Sequence, residues 1–315
     1  MDSFRTIIPI PKELDIKHTN KVMMFGSCFT ENIGQKLIDH KFSVSCNPLG
    51  ILFNPISILQ TINRIVDNKK VTEKELFEYE GVWNSFSFHS QFAQLSASDY
   101  LANINPIIEA SHQFIKSCDF LFITLGTSWI YEDTVTNEIV ANCHKVASTR
   151  FNRRRISSTE CCDAILSAIE KIHKVNEHVN FIFTVSPIRH WKDGAHGNQL
   201  SKATLLLAID KICEMYSNCS YFPSYEIMMD ELRDYRFYAD DMLHPSEFAL
   251  KYIWERFSDC YFSEETQAIN KEVESLNQAL HHKPFNSESQ SYKTFQEKTL
   301  NRIAELEKKY PFIKF

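Results

Sequence analysis

A serine at the junction of a buried strand and a helix is the first residue of this chain placed to do chemistry. Val22-Met23-Met24-Phe25 is short and continuously apolar, as a strand covered on both faces is, and it runs through Gly26 into Ser27-Cys28-Phe29-Thr30. A helical pattern of Ile33, Leu37 and Ile38 follows. Ser27 is therefore held at the carboxyl edge of a sheet with its N–H at a helix start, where an oxyanion formed on attack meets backbone donors. Taken alone, the same turn serves equally as a helix cap or an anion cradle. Thr30 followed by Glu31 is expected to mark the helix start, a hydroxyl capping free N–H groups and an acid meeting the dipole.

The second constellation is Asp241-Met242-Leu243-His244-Pro245, just ahead of a helical run holding Phe248, Tyr252, Ile253 and Phe257. Pro245 suits a first helical turn, which puts His244 in the connection and not on a packed face. Asp241 can reach the imidazole Nδ1–H and fix its tautomer, leaving Nε2 to take a proton from Ser27. Asp-x-x-His on its own is a common surface pair; joined to a strand-end serine it reads as two thirds of a triad.

Strands must bring these segments together. Phe120 to Leu125 ends at Gly126 after an expected helix over 98–117, and Phe181 to Val185 ends at Ser186-Pro187. An amphipathic helix near 199–217 and a short strand at Tyr221-Phe222 follow. Strands alternating with helices imply a mainly parallel sheet covered on both faces, a three-layer α/β/α fold. Ligands of such sheets bind at the carboxyl ends of the strands, where each of these runs ends in polar residues. Residues 54–97 and 129–156 fit the alternation less well and read as insertions. The α/β domain spans 1–262; the tail, 263–315, is a helical extension with Ile269, Val273, Leu276 and Leu280 on one helix and Leu300, Ile303 and Leu306 on a second. Those tail helices form a hairpin on the main domain or a homo-oligomer contact.

Composition excludes several functions. With 34 basic and 40 acidic residues the net charge is −6, which gives no general basic face for nucleic acid or a membrane surface. Arg150 and Arg153 to Arg155 form a local basic group, a solvated face unless the substrate is anionic. The 9 cysteines form no CxxC pair, and Cys143-His144 with His190 or His196 lacks metal-site spacing, so neither metal nor cofactor is expected. Free thiols, no leader-like N-terminus and no apolar stretch of spanning length point to a soluble cytoplasmic protein.

Gly26-Ser27-Cys28-Phe29 resembles the motif that names the GSCFA family, with Thr30 in place of its alanine. That family is related to the SGNH, or GDSL-like, hydrolases of flavodoxin-like fold. Further similar segments are Asn47 to Pro55, Thr124 to Thr127, Ser186 to His190 and Asp241 to His244, in the expected order across roughly residues 20–260. The resemblance implies Ser27 as nucleophile, His244 as general base and then acid, Asp241 as its orienting partner, and Gly50 as an oxyanion donor. Related enzymes carry Gly-x-Asn-Asp in the third block, where this chain has Gly126-Thr127-Ser128-Trp129. The hydroxyl of Ser128 or Thr127, or an amide from Asn54 or Asn142, is the expected substitute donor.

Other candidates surround this core. Cys28 reads as a small buried hydrophobe more readily than as a nucleophile. His89, Arg189 and His190 are candidate site-lining residues, the last two for an anionic or sugar group, and Trp83, Trp129 and Trp191 fall near strand ends where they could stack on a sugar ring. The sequence therefore reads as an esterase that cleaves an O-acyl ester of a small molecule or carbohydrate. The alternatives are an O-acyltransferase using the same triad, or a weakly catalytic ligand-binding protein on the same fold.

Overall fold

The computed structural model describes residues 6–12 and 14–315; residues 1–5, part of the N-terminus read above for a leader, lie outside them. In chain order the elements are β1 (Lys21–Gly26), α1 (Cys28–Asp39), β2 (Ser43–Cys46), α2 (Pro55–Val66), β3 (Phe77–Tyr79), β4 (Val82–Asn84), α3 (Ala97–Ile115), β5 (Phe120–Leu125), β6 (Trp129–Asp133), β7 (Ile139–Val140), β8 (Phe151–Arg155) and α4 (Ser158–His173). They continue with β9 (Asn180–Val185), α5 (Gly194–Met215), β10 (Cys219–Tyr221), the short α6 (Ser224–Glu226), α7 (Glu247–Tyr261), α8 (Glu264–Leu280) and α9 (Gln290–Lys309).

Five strands form a parallel sheet in the order β10-β9-β5-β1-β2. Counting only its own strands along the chain, this is the 2-1-3-4-5 order of flavodoxin-like sheets, with the topological switch point between β1 and β5. The continuous apolar runs follow from burial on both faces. In β1, Met23 and Phe25 enter one core cluster while Val22 and Met24 enter the other. In β5, Leu121, Ile123 and Leu125 face the first cluster and Phe120 and Phe122 the second. α2 packs against α3 and α4 on the first face, and α4 against α5; α1 and α7 cover the second.

Several local expectations shift. Ser27, not Thr30, caps α1, accepting from Phe29 N–H at 3.3 Å. Ser246, not Pro245, opens α7, and Pro245 bridges Tyr238 instead. The helix expected over 199–217 begins at Gly194: its two early glycines suggest a loop, but bidentate pairing with Arg153 fixes Asp193 at the helix start. Residues 54–97 open with α2, a full member of a helical layer, whereas 129–156 form a separate antiparallel sheet in the order β7-β6-β8. In the tail, Ile269, Val273, Leu276 and Leu306 join Ile313 in a third cluster between α8 and α9, while Leu280 and Leu300 face solvent. No described helix is long and apolar enough to cross a membrane.

Candidate active site

The switch point is where the chemistry-bearing residues collect. β1 ends at Gly26, whose N–H donates to Asn47 Oδ1 at 2.8 Å and whose φ is +147°. A Cβ there would stand 2.4 Å from Thr124 O and 2.6 Å from Thr30 Oγ1, so only glycine lets β1 pass this close to β5. Ser27 follows, buried, with its Oγ on the first turn of α1.

Asp241 and His244 lie on a loop closed by Ala239 N–H to His244 O and Ser246 N–H to Phe237 O, both at 2.8 Å. Asp241 Oδ1 accepts from the N–H groups of His244 and Leu243, each at 2.9 Å, and Oδ2 lies 2.5 Å from His244 Nδ1. The His244 amide, the Leu243 amide and then the imidazole hold the Asp241 carboxyl down to about 2, so it is ionised throughout the neutral range. His244 Nε2 is thereby left to face the start of α1. Its partner there is Cys28 Sγ at 3.9 Å; Ser27 Oγ is not hydrogen-bonded to it. Burial raises the Cys28 thiol above its ordinary range, which disfavours the thiolate.

The second block wraps from β2 to α2 under this edge. Gly50, at φ +91°, packs its α-carbon against His89, and its N–H donates to Asn47 O at 2.8 Å. As an oxyanion donor it would have to share that turn bond. His89 Nδ1 accepts from Gln91 N–H at 3.3 Å. Asn54 caps α2: its Oδ1 accepts from Ser57 N–H at 2.9 Å and its Nδ2 donates to Ser57 Oγ at 3.0 Å, so its amide is engaged away from the cleft. Phe53 O accepts from Gly126 N–H at 2.8 Å and Thr127 N–H at 2.9 Å, joining the second block to the third.

In the third block, the hydroxyls of Thr127 and Ser128 are turned to Ser201 on α5, each 3.1 Å from its Oγ, and Ser128 N–H donates to the same atom at 2.8 Å. Ser128 is fully buried, so neither hydroxyl is free in this arrangement to replace the missing asparagine amide. Asn142 accepts from His144 N–H at 2.9 Å in the 129–156 segment. His190 also approaches the block: its Nε2 would be 3.5 Å from a Cβ on Gly126. Burial, then the charges of Lys202, Arg153 and His244 against an opposing Asp193, push His190 down to about 4, leaving a neutral imidazole with one N–H.

Sequence reasoning missed Lys202 and Ser201. Lys202 is 1% exposed, and its Nζ donates to Gly126 O at 2.8 Å and Ser186 O at 2.7 Å, tying together the carboxyl ends of β5 and β9. Burial, then the neighbouring Arg189 charge, lowers it to about 7. A lysine on the inward stripe of α5, beside Ser201 and before Leu205, was the readable signal. Among the described residues no group of three His, Cys, Asp or Glu side chains is arranged to hold a metal ion. Trp83 and Trp129 are not among the residues around the Asp241–His244 loop: Trp83 pairs with Gln94, and Trp129 lies under the Arg153 guanidinium at 4.2 Å. Trp191 is close to it, as are Arg189 and Tyr238: with Asp241 and Leu243 they line a cavity of about 570 Å³.

Among solved structures, the chain is similar to a family 3 carbohydrate esterase from Clostridium thermocellum, at 13% identity over 80% of this chain and 97% of that one, with a TM-score of 0.36. It is also similar to a family 2 carbohydrate esterase from Myceliophthora fergusii, at 14% identity over 84% and 68% of the two chains and a TM-score of 0.40. An acetyl xylan esterase from the rumen bacterium Butyrivibrio proteoclasticus shares 10% identity over 81% and 64%, with a TM-score of 0.40. No curated protein sequence matches the chain significantly. Family models match along most of its length: that of the GSCFA family over residues 21–257, and that of the GSCFA domain protein C-terminal domain over residues 273–315. The chain belongs to the GSCFA family.

Proposed function

We propose that the protein is a serine esterase that cleaves an O-acyl ester through Ser27, His244 and Asp241. The observation that carries this reading is the Asp241–His244 pair: an ionised carboxylate fixed by two backbone amides, 2.5 Å from Nδ1, with Nε2 aimed at the start of α1. Ser27 Oγ leaves its 3.3 Å bond to Phe29 N–H and attacks the ester carbonyl carbon while His244 Nε2 takes its proton. The tetrahedral oxyanion meets Ser27 N–H at the positive end of α1 and the N–H of neutral His190, which stands where the third-block amide is lacking. Collapse expels the alcohol, which takes the proton from His244. A water deprotonated by His244 then hydrolyses the acyl-serine. If a second hydroxyl compound reached the acyl-serine before water, the same residues would perform acyl transfer.

A second reading rests on the 3.9 Å contact of Cys28 Sγ with His244 Nε2, which places a thiol where the nucleophile should be. The raised thiol pKa counts against it. The test is fluorophosphonate labelling and p-nitrophenyl acetate turnover by the wild type, Ser27→Ala and His244→Ala. Labelling and burst should vanish in Ser27→Ala; equal labelling and turnover in all three would sink the esterase reading.

A further inference from the structure

Among the described residues, the cavity beside Asp241 holds one cation without an ion-pair partner. Of its charged lining residues, Arg233 pairs with Asp230 at 2.8 Å, Asp234 with Arg236 at 2.8 Å, and the Asp241 carboxylate is taken up by its hydrogen bonds to His244 and two backbone amides. Arg189 has no ion pair, and its Nε–H is buried without a hydrogen-bond partner among the described residues. The two terminal nitrogens have no hydrogen-bond partner among the described residues either, and these are the donors that a ligand in the cavity can reach.

The neighbouring buried side chain, Lys202, supplies no counter-charge to Arg189. Lys202 lies close enough behind Arg189 for the guanidinium to depress its pKa, and Lys202 has only backbone carbonyls as hydrogen-bond partners. The chain fixes Arg189 just past β9: Ser186 N–H continues the ladder to Leu125 O at 2.9 Å, and His190 N–H donates to Asn198 Oδ1 at 3.0 Å. The rim is aromatic. Trp191 is 54% exposed with the Arg189 guanidinium 5.4 Å from its ring, and Tyr235 is 78% exposed. Flat, solvent-facing rings beside a forked donor suit a sugar ring bearing an anionic group, and about 570 Å³ is ample for one.

We propose that this cavity is a subsite in which Arg189 binds an anionic group, a carboxylate or a phosphate, on the sugar whose acyl ester His244 helps to cleave. The substrate class is thus an acylated acidic sugar; this rests on the esterase reading above, but binding can be measured without turnover.

The experiment is calorimetric titration of the full-length protein with D-glucuronate, glucose 6-phosphate and D-glucose at low salt. The wild type should bind at least one of the two anions about tenfold or more tightly than glucose. Arg189→Gln should remove that preference, Arg189→Lys should keep part of it, and Arg302→Gln, an equal charge change on α9, should leave it intact. Which anion binds more tightly identifies the group. Equal binding of all three ligands, no saturable binding of either anion, or an unchanged preference in Arg189→Gln would overturn the proposal. If binding behaves as expected but fluorophosphonate labelling fails, the subsite stands and the esterase reading falls.

Discussion

His244 Nε2 lies 3.9 Å from Cys28 Sγ, on the opposite side of the ring from Asp241, so the thiol occupies the approach to the base that a serine nucleophile must share. Ser27 and Cys28 are adjacent at the start of α1, and Ser27 Oγ accepts from Phe29 N–H at 3.3 Å instead of meeting His244. Catalytic hydrogen bonds in unliganded sites are commonly loose and tighten in the substrate complex.

Substitution separates the two. Ser27→Ala should lower esterase kcat/KM on the order of 10⁴-fold or more, as loss of a triad nucleophile does. Cys28→Ala should lower it by less than about tenfold, because it trims a neighbour and leaves the nucleophile. Mass spectrometry of the trapped acyl-enzyme should place the acyl group on the peptide at Ser27. The reverse ranking would identify a thiol esterase.

In the proposed mechanism Asp241 acts through its charge and through the oxygen that faces His244 Nδ1, and Asp241→Asn removes the charge and one of the two acceptor oxygens. The amide would bond the wrong imidazole tautomer, and kcat should fall by about 10⁴-fold with KM little changed. Asp241 is held at about 2, so the wild-type pH–rate profile should show no carboxyl step from it above pH 4. A kcat that survives in Asp241→Asn would remove Asp241 from the mechanism.

The sheet was legible because strands buried on both faces read as unbroken apolar runs, and β1, β5 and β9 are such runs. β2 was not, since Ser43-Val44-Ser45-Cys46 is a short edge strand of mixed polarity. Ser27, Asp241 and His244 were legible because local sequence sets their positions: a strand–helix turn and an i, i+3 pair on a tight loop. The third block was not, because its outcome depends on residues distant in sequence. Ser201 and Lys202 come from α5, about 75 positions later, and no local pattern shows that they claim the Thr127 and Ser128 hydroxyls and the Gly126 carbonyl.

Gly26 should be less replaceable than Gly81. Gly26→Ala combines an unfavourable φ with a Cβ 2.4 Å from a strand carbonyl, and is expected to cost about 2–5 kcal/mol. Gly81→Ala has the φ strain alone, since nothing lies within 4 Å, and should cost about 1–3 kcal/mol. Urea unfolding of both variants gives the comparison; a Gly26→Ala midpoint at or above that of Gly81→Ala would show that β1 and β5 can separate without penalty.

Lys202 carries a stability signature with a definite sign. Its folded-state pKa of about 7 lies below the roughly 10.4 of an unfolded lysine. Between those values the unfolded chain holds a proton that the folded chain has lost. Stability from this group therefore rises with pH across the window and is smallest below it. Lys202→Met removes the titration while leaving the Gly126 and Ser186 carbonyls without their donor, a pH-independent loss. The unfolding free energy of the wild type minus that of Lys202→Met should increase from pH 7 to pH 9, by at most about 1.4 kcal/mol per pH unit. Taking the difference cancels groups that titrate alike in both proteins, and adding Cys28→Ala to both removes the one thiol coupled to Lys202. A difference that stays flat or falls with pH would show that Lys202 keeps its charge in the folded protein, held there by the two carbonyls at the ends of β5 and β9.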